Sequence, residues 1–314
     1  MRPRSPRYSP SRALIAGVAL DLVLGDPPRL HPVAGFGRLA QFGERALWRD
    51  SRRRGAWHAG LLITMTAASI AIAELRLQAR PRARTLFAAT VLWSTLGGCS
   101  LACHARALGG AVAAGDLDWA RALAPALVGR DPTRLDGAEL CRAAVESIAE
   151  NTTDAVVAPL CWFAVCGPAG AAAYRAANTL DAMVGHRSAR YARFGWGSAR
   201  LDDLLTWPCA RLAAALAVAL APIVGGSRRE TVGALGRACE HPSPNAGLIE
   251  AAFAGALGIR LGGRNDYGGR IEQRPTFGRG DLPGPADIER AVRLSQAIVA
   301  ATVSSALLAR AVTP

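Results

Sequence analysis

Between Glu146 and Asp203 the chain sets acids and amides into a strongly apolar background: Glu146, Glu150, Asn151, Asp154, Asn178, Asp181, Asp202 and Asp203. A carboxylate taken out of water without a partner is costly, or it changes its protonation state. At the edges of apolar spans such residues are usually kept for contact with a substrate, an ion or a partner. Glu146, Glu150 and Asp154 recur every four residues, so on one continuous helix they share a face and repel. A cation relieves that repulsion, and carboxylates suit Mg²⁺. The competing reading is a solvated helix face. Asn178 and Asp181 fall on one helical face, followed by His186 and Arg187. The pair Asp202-Asp203 either binds a divalent ion or caps a helix N-terminus.

Further constellations lie outside this stretch. Gly25-Asp26-Pro27-Pro28 followed by His31-Pro32 puts an acid and a histidine on a proline-stiffened loop. This suits metal or phosphate contact or proton transfer; alternatively it is a turn that caps the next helix. Ser243-Pro244-Asn245 with Glu250 is either a site or a proline turn and cap. The glycine-rich GGRNDYGGR (262–270) is a weak phosphate-wrapping signal without a strand-helix context. Cys99, Cys103 and His104 have helical spacing but lack a second ligand pair. The seven cysteines contain no C-x-x-C and read as small buried thiols, not a disulfide framework.

The elements that must position these residues are apolar. Of 314 residues, 51% are hydrophobic and only 19% charged, and the mean hydropathy is +0.17. Soluble domains carry roughly 25% charged residues, so membrane embedding is the simpler reading. The chain has no lysine, so all 37 strongly basic residues are arginine. That excludes a Walker-type phosphate loop and a Schiff-base lysine, and leaves arginine to recognise anions bidentately. The net charge of +13 is spread through short loops with few aromatics. Nucleic acid is therefore not the expected partner, and basic loops beside a bilayer explain the charge.

Six apolar stretches can be drawn: 13–24, 57–73, 86–108, 155–174, 204–224 and 294–312. Four or five are long enough to cross a membrane. The first, interrupted by Asp21, reads as re-entrant or partly buried. Pro159 and Pro168 are expected kinks. Residues 1–12 read as a disordered basic arm, and 262–287 as a long polar loop. Asp131-Pro132 reads as a helix start, with a helical pattern from Gly137. The expectation is an all-α polytopic membrane bundle of about 4–6 embedded helices in a single domain.

These motifs occur together in a recognisable order: GDPPRLHPVAGFGRL, VGRDPTRLD, VESIAENTTDAVVAPL, ANTLDAMVGH, SARLDD and SPNAGLIEAAFAGALGIRLGG. Over nearly its whole length the chain resembles the CobD/CbiB family of cobalamin biosynthesis, the adenosylcobinamide-phosphate synthases. It departs in its Arg/Pro-rich N-terminus and in His186, where an aromatic is expected. The resemblance implies a multi-pass protein of the bacterial inner membrane. It also implies a ligase that joins the free propionate of adenosylcobyric acid to (R)-1-aminopropan-2-ol or its phosphate, with ATP as the driving nucleotide.

Amide formation from a free carboxylate needs an activated acyl group, such as an acyl phosphate, with Mg²⁺ to neutralise the phosphates. On that basis Glu150, Asp154, Asp181, Asp202 and Asp203 are the expected metal contacts. His31, Glu146, Glu150 and Asp154 are the expected catalytic groups, with His31 taking the amine proton. Asp26, Arg130, Asn151, Asn178, Arg200, Asn245 and Glu250 are expected to bind substrate or phosphate. Whether later cobalamin-pathway enzymes dock on the arginine-rich loops is left open by the sequence. The alternatives are a non-enzymatic sensor or scaffold like the related AmpE proteins, and a membrane transporter.

Overall fold

The computed structural model describes residues 8–27, 31–186, 188–267 and 270–312. Arg187 lies outside them, as do residues 1–7 of the basic arm. The remainder of that arm is shorter than expected, because α1 (Pro10–Leu24) already begins at Pro10, with the Ser9 hydroxyl capping Arg12 N–H. The helices α2 (Pro32–Leu47), α3 (Arg52–Arg76), α4 (Pro81–Thr95), α5 (Gly98–Ala113) and α6 (Leu117–Leu123) follow. Next come α7 (Gly137–Thr152), a π-turn (Thr153–Val157), α8 (Ala158–Val184), α9 (Trp196–Leu220), α10 (Arg228–Leu235) and α11 (Ala246–Leu257). Strands β1 (Leu261–Tyr267) and β2 (Arg270–Phe277) pair antiparallel, and α12 (Pro285–Val312) ends the chain.

The fold is that of a polytopic helical membrane protein. Among the described residues, five helical segments are long and apolar enough to cross a membrane: Arg52–Arg76, Pro81–Ala113, Gly137–Val184, Trp196–Val224 and Pro285–Arg310. Their outward faces are apolar, with Trp57, Met65, Ile72, Leu75 and Leu86 all exposed. Water disfavours such a surface and hydrocarbon does not. The short α1 is not among the five.

Two compact units form, each assembled from separate parts of the chain. The first comprises Met1–Gly97, Asp154–Thr206 and Thr302–Pro314. Within it α8 packs on α2, α3 and α4, and α1 packs on α4. Small residues allow this approach: a Cβ on Gly17 would press on Leu92 and the Ala89 carbonyl. The second comprises Gly98–Thr153 and Trp207–Ala301. There α7 packs on α5, α6 and α11, and the hairpin lies on α7 and α11.

Both expected proline kinks are present, and each has its freed carbonyl satisfied. Pro159 cannot donate to Ala155 O, and that carbonyl instead accepts Gly97 N–H at 3.2 Å. The π-turn sits at this point. Pro168 follows Gly167, which is non-helical at φ 66°. The carbonyls of Phe163 and Ala164 accept Arg310 Nη2 at 3.3 and 2.9 Å. Inside a bilayer an unpaired carbonyl is costly, so this arginine has a structural reason to be in an apolar helix.

Two expectations need correction. The stretch 262–287 is not a loop throughout: most of it forms the hairpin. Its glycine-rich sequence lacks the usual strand signature because distant side chains hold it, as described below. Asp131 does not start a helix; its carboxylate accepts Thr133 N–H and Oγ1–H at 3.0 and 2.8 Å in a local turn. Helix α7 starts after Asp136, in a capping box with Glu139.

Gly55 tests the packing of α3. A Cβ there would fall on the Phe194 carbonyl. Gly55→Ala is expected to cost about 1–3 kcal/mol, as overpacking of a core does. It should appear as a lower unfolding temperature in detergent; an unchanged temperature would rule out this contact.

Candidate functional site

In the first unit, three separate motifs meet at one amide. Asn178 Nδ2 lies 3.4 Å from Asp154 Oδ2 and 3.3 Å from Asp202 Oδ1. Asp154 comes from the π-turn, Asn178 from α8 and Asp202 from the second turn of α9. Asp202 is therefore not a helix cap. The Asn178 Oδ1 faces Arg175 Nη1 at 3.5 Å. Asp181, one turn further along α8, has its carboxylate folded over Gly185, where a Cβ could not fit. Asp203 is half-buried and Arg200 exposed.

Asp26 and His31 belong to the same unit. Gly25 ends α1 with φ 59°, a conformation that favours glycine, and its carbonyl accepts Trp93 Nε1–H at 2.9 Å. His31 caps α2: Val33 N–H donates to its Nδ1 at 3.1 Å. The Nε2 atom then faces Asp26 Oδ1 at 3.7 Å. The Nδ1 atom is thus engaged as the acceptor of the α2 cap. Gly97 stands between Asp26 and the π-turn: a Cβ on it would lie 3.9 Å from Asp26 Oδ2 and 3.7 Å from Ala155 Cβ.

The second unit holds a different cluster. Glu146 is buried and accepts Arg130 Nη2–H at 3.0 Å, Arg142 Nη1–H at 3.4 Å and Gly262 N–H at 2.8 Å. Arg142 also donates to the Gly262 carbonyl, to Arg264 O at 2.9 Å and to Asn265 Oδ1 at 3.1 Å. Asn265 Oδ1 is shared with Arg130. These bonds clamp β1 to α7. Buried Glu250 lies 4.0 Å from Arg274 Nη1 on β2. Glu150 is solvent-accessible. The Nδ2 of Asn151 turns back to Ser147 O at 3.0 Å. Asn245 Oδ1 accepts Arg211 Nη1–H at 2.8 Å, while Ser243 Oγ caps the start of α11 through Ala246 N–H.

The expected row of Glu146, Glu150 and Asp154 is therefore not one site. The π-turn interrupts the four-residue repeat, and Asp154 joins Asn178 while Glu146 joins the arginines. Among the described residues, no three of His, Cys, Asp and Glu are grouped to hold a metal. The Cys99, Cys103 and His104 set does not assemble either; His104 Nδ1 pairs with Ser100 O at 2.8 Å. Sequence reasoning missed Arg142, Arg175, Asn265 and Arg274. Only Arg142 carried a spacing signal, four residues before Glu146.

A family model described as CobD/Cbib protein matches residues 14–295, across all the motifs above. The chain belongs to the CobD/CbiB family. "Cobalamin biosynthesis protein CobD" of Mycobacterium tuberculosis (strain ATCC 25618 / H37Rv) is 48% identical, over 94% of each chain. Proteins of the same name from Chromobacterium violaceum and Pelobacter propionicus are 44% and 43% identical, over 88% and 84% of each chain respectively. No solved structure matches. Both clusters of this CobD/CbiB chain fall within the matched residues.

Two expectations follow for the second unit. Glu146→Ala leaves two buried guanidiniums without their carboxylate and is expected to cost roughly 3–5 kcal/mol. Folded protein recovered in detergent should fall accordingly; full recovery would argue against the clamp. Burial, reinforced by Glu146 and Glu150 against Arg274 and Arg130, raises the Glu250 carboxyl well above its ordinary 4.5. The native state then keeps a proton that the unfolded chain loses. Stability from this group is full below the ordinary value and declines as pH rises toward the folded one. Glu250→Gln should flatten that decline in unfolding temperature; parallel profiles would exclude Glu250 as its source.

Proposed function

We propose that the protein is an enzyme of cobalamin biosynthesis that condenses adenosylcobyric acid with (R)-1-aminopropan-2-ol or its phosphate, driven by ATP. The observation that carries this reading is the meeting of Asp154, Asn178 and Asp202 from three sequence-distant family motifs. Family membership supplies the pathway, through relatives named for cobalamin biosynthesis. The chemistry joins the amine nitrogen to the propionate carbonyl carbon; the carboxylate oxygen leaves on the phosphoryl group taken from ATP, giving ADP and inorganic phosphate, and the amine proton is released.

Mg²⁺ usually needs only one or two carboxylates when nucleotide phosphates complete its shell. Asp154 and Asp202 fit that role better than the five-acid set, because they share a neighbour in one unit. The ion would neutralise charge developing on the phosphates. Asn178 holds both carboxylates in place. His31 orients the Asp26 loop instead of accepting the proton, since its Nδ1 is committed to Val33. Arg130 is engaged by Glu146 and Asn265, so it acts as a structural cation in this reading. Inner-membrane placement and docking of later pathway enzymes on the arginine-rich loops belong to the same proposal.

Purified protein in detergent, incubated with adenosylcobyric acid, aminopropanol phosphate, ATP and Mg²⁺, should yield a corrinoid heavier by the condensed aminoalcohol phosphate. Mass spectrometry would detect it. Failure with both the phosphorylated and the free aminoalcohol, while the corrinoid still binds, would sink the proposal. Asp154→Asn should lower turnover about 100-fold or more while membrane accumulation is unchanged. Retained turnover would remove Asp154 from the site.

A further inference from the structure

A cavity of about 270 Å³ opens in the first unit between α2, α3, α4 and α8. Val33, Phe36, Ile70, Phe87 and Val91 make its walls apolar, and none of the described residues lining it is acidic. Its one charged lining residue is Arg175. Among the described residues Arg175 makes no ion pair; its only side-chain partner is Asn178 Oδ1, at 3.5 Å. Its Nε is buried without a hydrogen bond. A guanidinium in an apolar helix is normally partnered, as Arg310 is by the Phe163 and Ala164 carbonyls and Arg142 by Glu146, although the Arg310 Nε, like that of Arg175, has no hydrogen bond.

The wall also bears hydroxyls. Thr66, Thr90, Ser94 and Thr179 line the cavity beside Arg175. The first turn of α2 also lines it, but Pro32 has no N–H and the Val33 N–H is taken by His31 Nδ1. An apolar chamber with several hydroxyls and a guanidinium that makes no ion pair among the described residues suits a small anion with a short aliphatic body. The Asn178 side chain joins Arg175 directly to Asp154 and Asp202.

We propose that Arg175, with the hydroxyls of the cavity wall, forms the anion subsite for a small phosphomonoester. The guanidinium would hold the phosphate bidentately. The aliphatic part would lie against Val33, Phe36 and Val91, and the other end would reach the Asn178 cluster. The chamber is far too small for a corrinoid macrocycle. The subsite therefore belongs to the small co-substrate, and only the naming of that co-substrate as an aminoalcohol phosphate rests on the proposed ligase reading.

The test is direct binding, independent of turnover. Calorimetry of the full-length protein in detergent is run with aminopropanol phosphate, inorganic phosphate, free aminopropanol and lysophosphatidate. The expected result is binding of aminopropanol phosphate, weakened about tenfold or more in Arg175→Met, the usual loss for a charge-assisted hydrogen-bonding group. Arg175→Lys should recover part of it. Ser94→Leu, which fills the chamber and leaves the charge, should weaken binding too, with each variant checked for a single folded species. In the coupled assay Arg175→Met should raise KM for the aminoalcohol phosphate and leave KM for free aminopropanol unchanged.

Wild-type affinity for aminopropanol phosphate retained in Arg175→Met and Ser94→Leu would overturn the proposal, even with ligase activity intact. Binding of lysophosphatidate without the soluble ester would overturn it as well, by assigning the chamber to lipid. Arg175-dependent binding in a protein that forms no corrinoid product would uphold the subsite and count against the ligase instead.

Discussion

An ionised carboxylate held away from water must be surrounded by donors, and Glu146 is the residue on which the second unit turns. Two guanidiniums and one backbone N–H converge on it. The same guanidiniums reach across to β1, so one buried charge fixes α7, the 128–136 segment and the hairpin together. Such a network is no strong source of net stability, because desolvation offsets much of the attraction. Its effect is on specificity: β1 has little intrinsic strand preference, and Arg142 supplies the partners that define its path.

A parallel constraint governs the first unit, where the groups needing partners are carbonyls. Each proline in α8 leaves one unpaired, and each is answered from elsewhere in the chain. Gly97 answers Ala155, and that contact holds the π-turn against the end of α4. The π-turn in turn aims Asp154 at Asn178. A backbone defect created by Pro159 is thus what brings a carboxylate to the candidate site, in keeping with the frequent placement of π-bulges at functional positions.

The apolar spans and both proline kinks were legible in the sequence because they depend on local hydrophobicity and on the missing proline N–H. So was the helix from Gly137. What was not legible depends on contacts distant in sequence. The four-residue repeat of Glu146, Glu150 and Asp154 holds only while the helix stays regular, and the partner that permits its irregularity is Gly97. The hairpin reads as a loop because its stabilising charges sit more than a hundred residues away. Arg175 looks like one arginine among 37 until the cavity beside it is seen.

The two clusters differ in what surrounds them. Around Glu146 both carboxylate oxygens have arginine donors, and Arg142 has three further acceptors on β1. A network this densely connected rigidifies the elements it joins. Around Asn178 the side-chain amide lies 3.4 Å from the Asp154 carboxylate and 3.3 Å from that of Asp202, and the neighbouring Arg175 lines an apolar cavity. Polar groups already placed at the edge of a cavity favour an incoming charged ligand, because their cost of desolvation has been met in folding. In the proposed reading the chemistry belongs with Asp154, Asn178 and Asp202, while the Glu146 network holds the hairpin on α7.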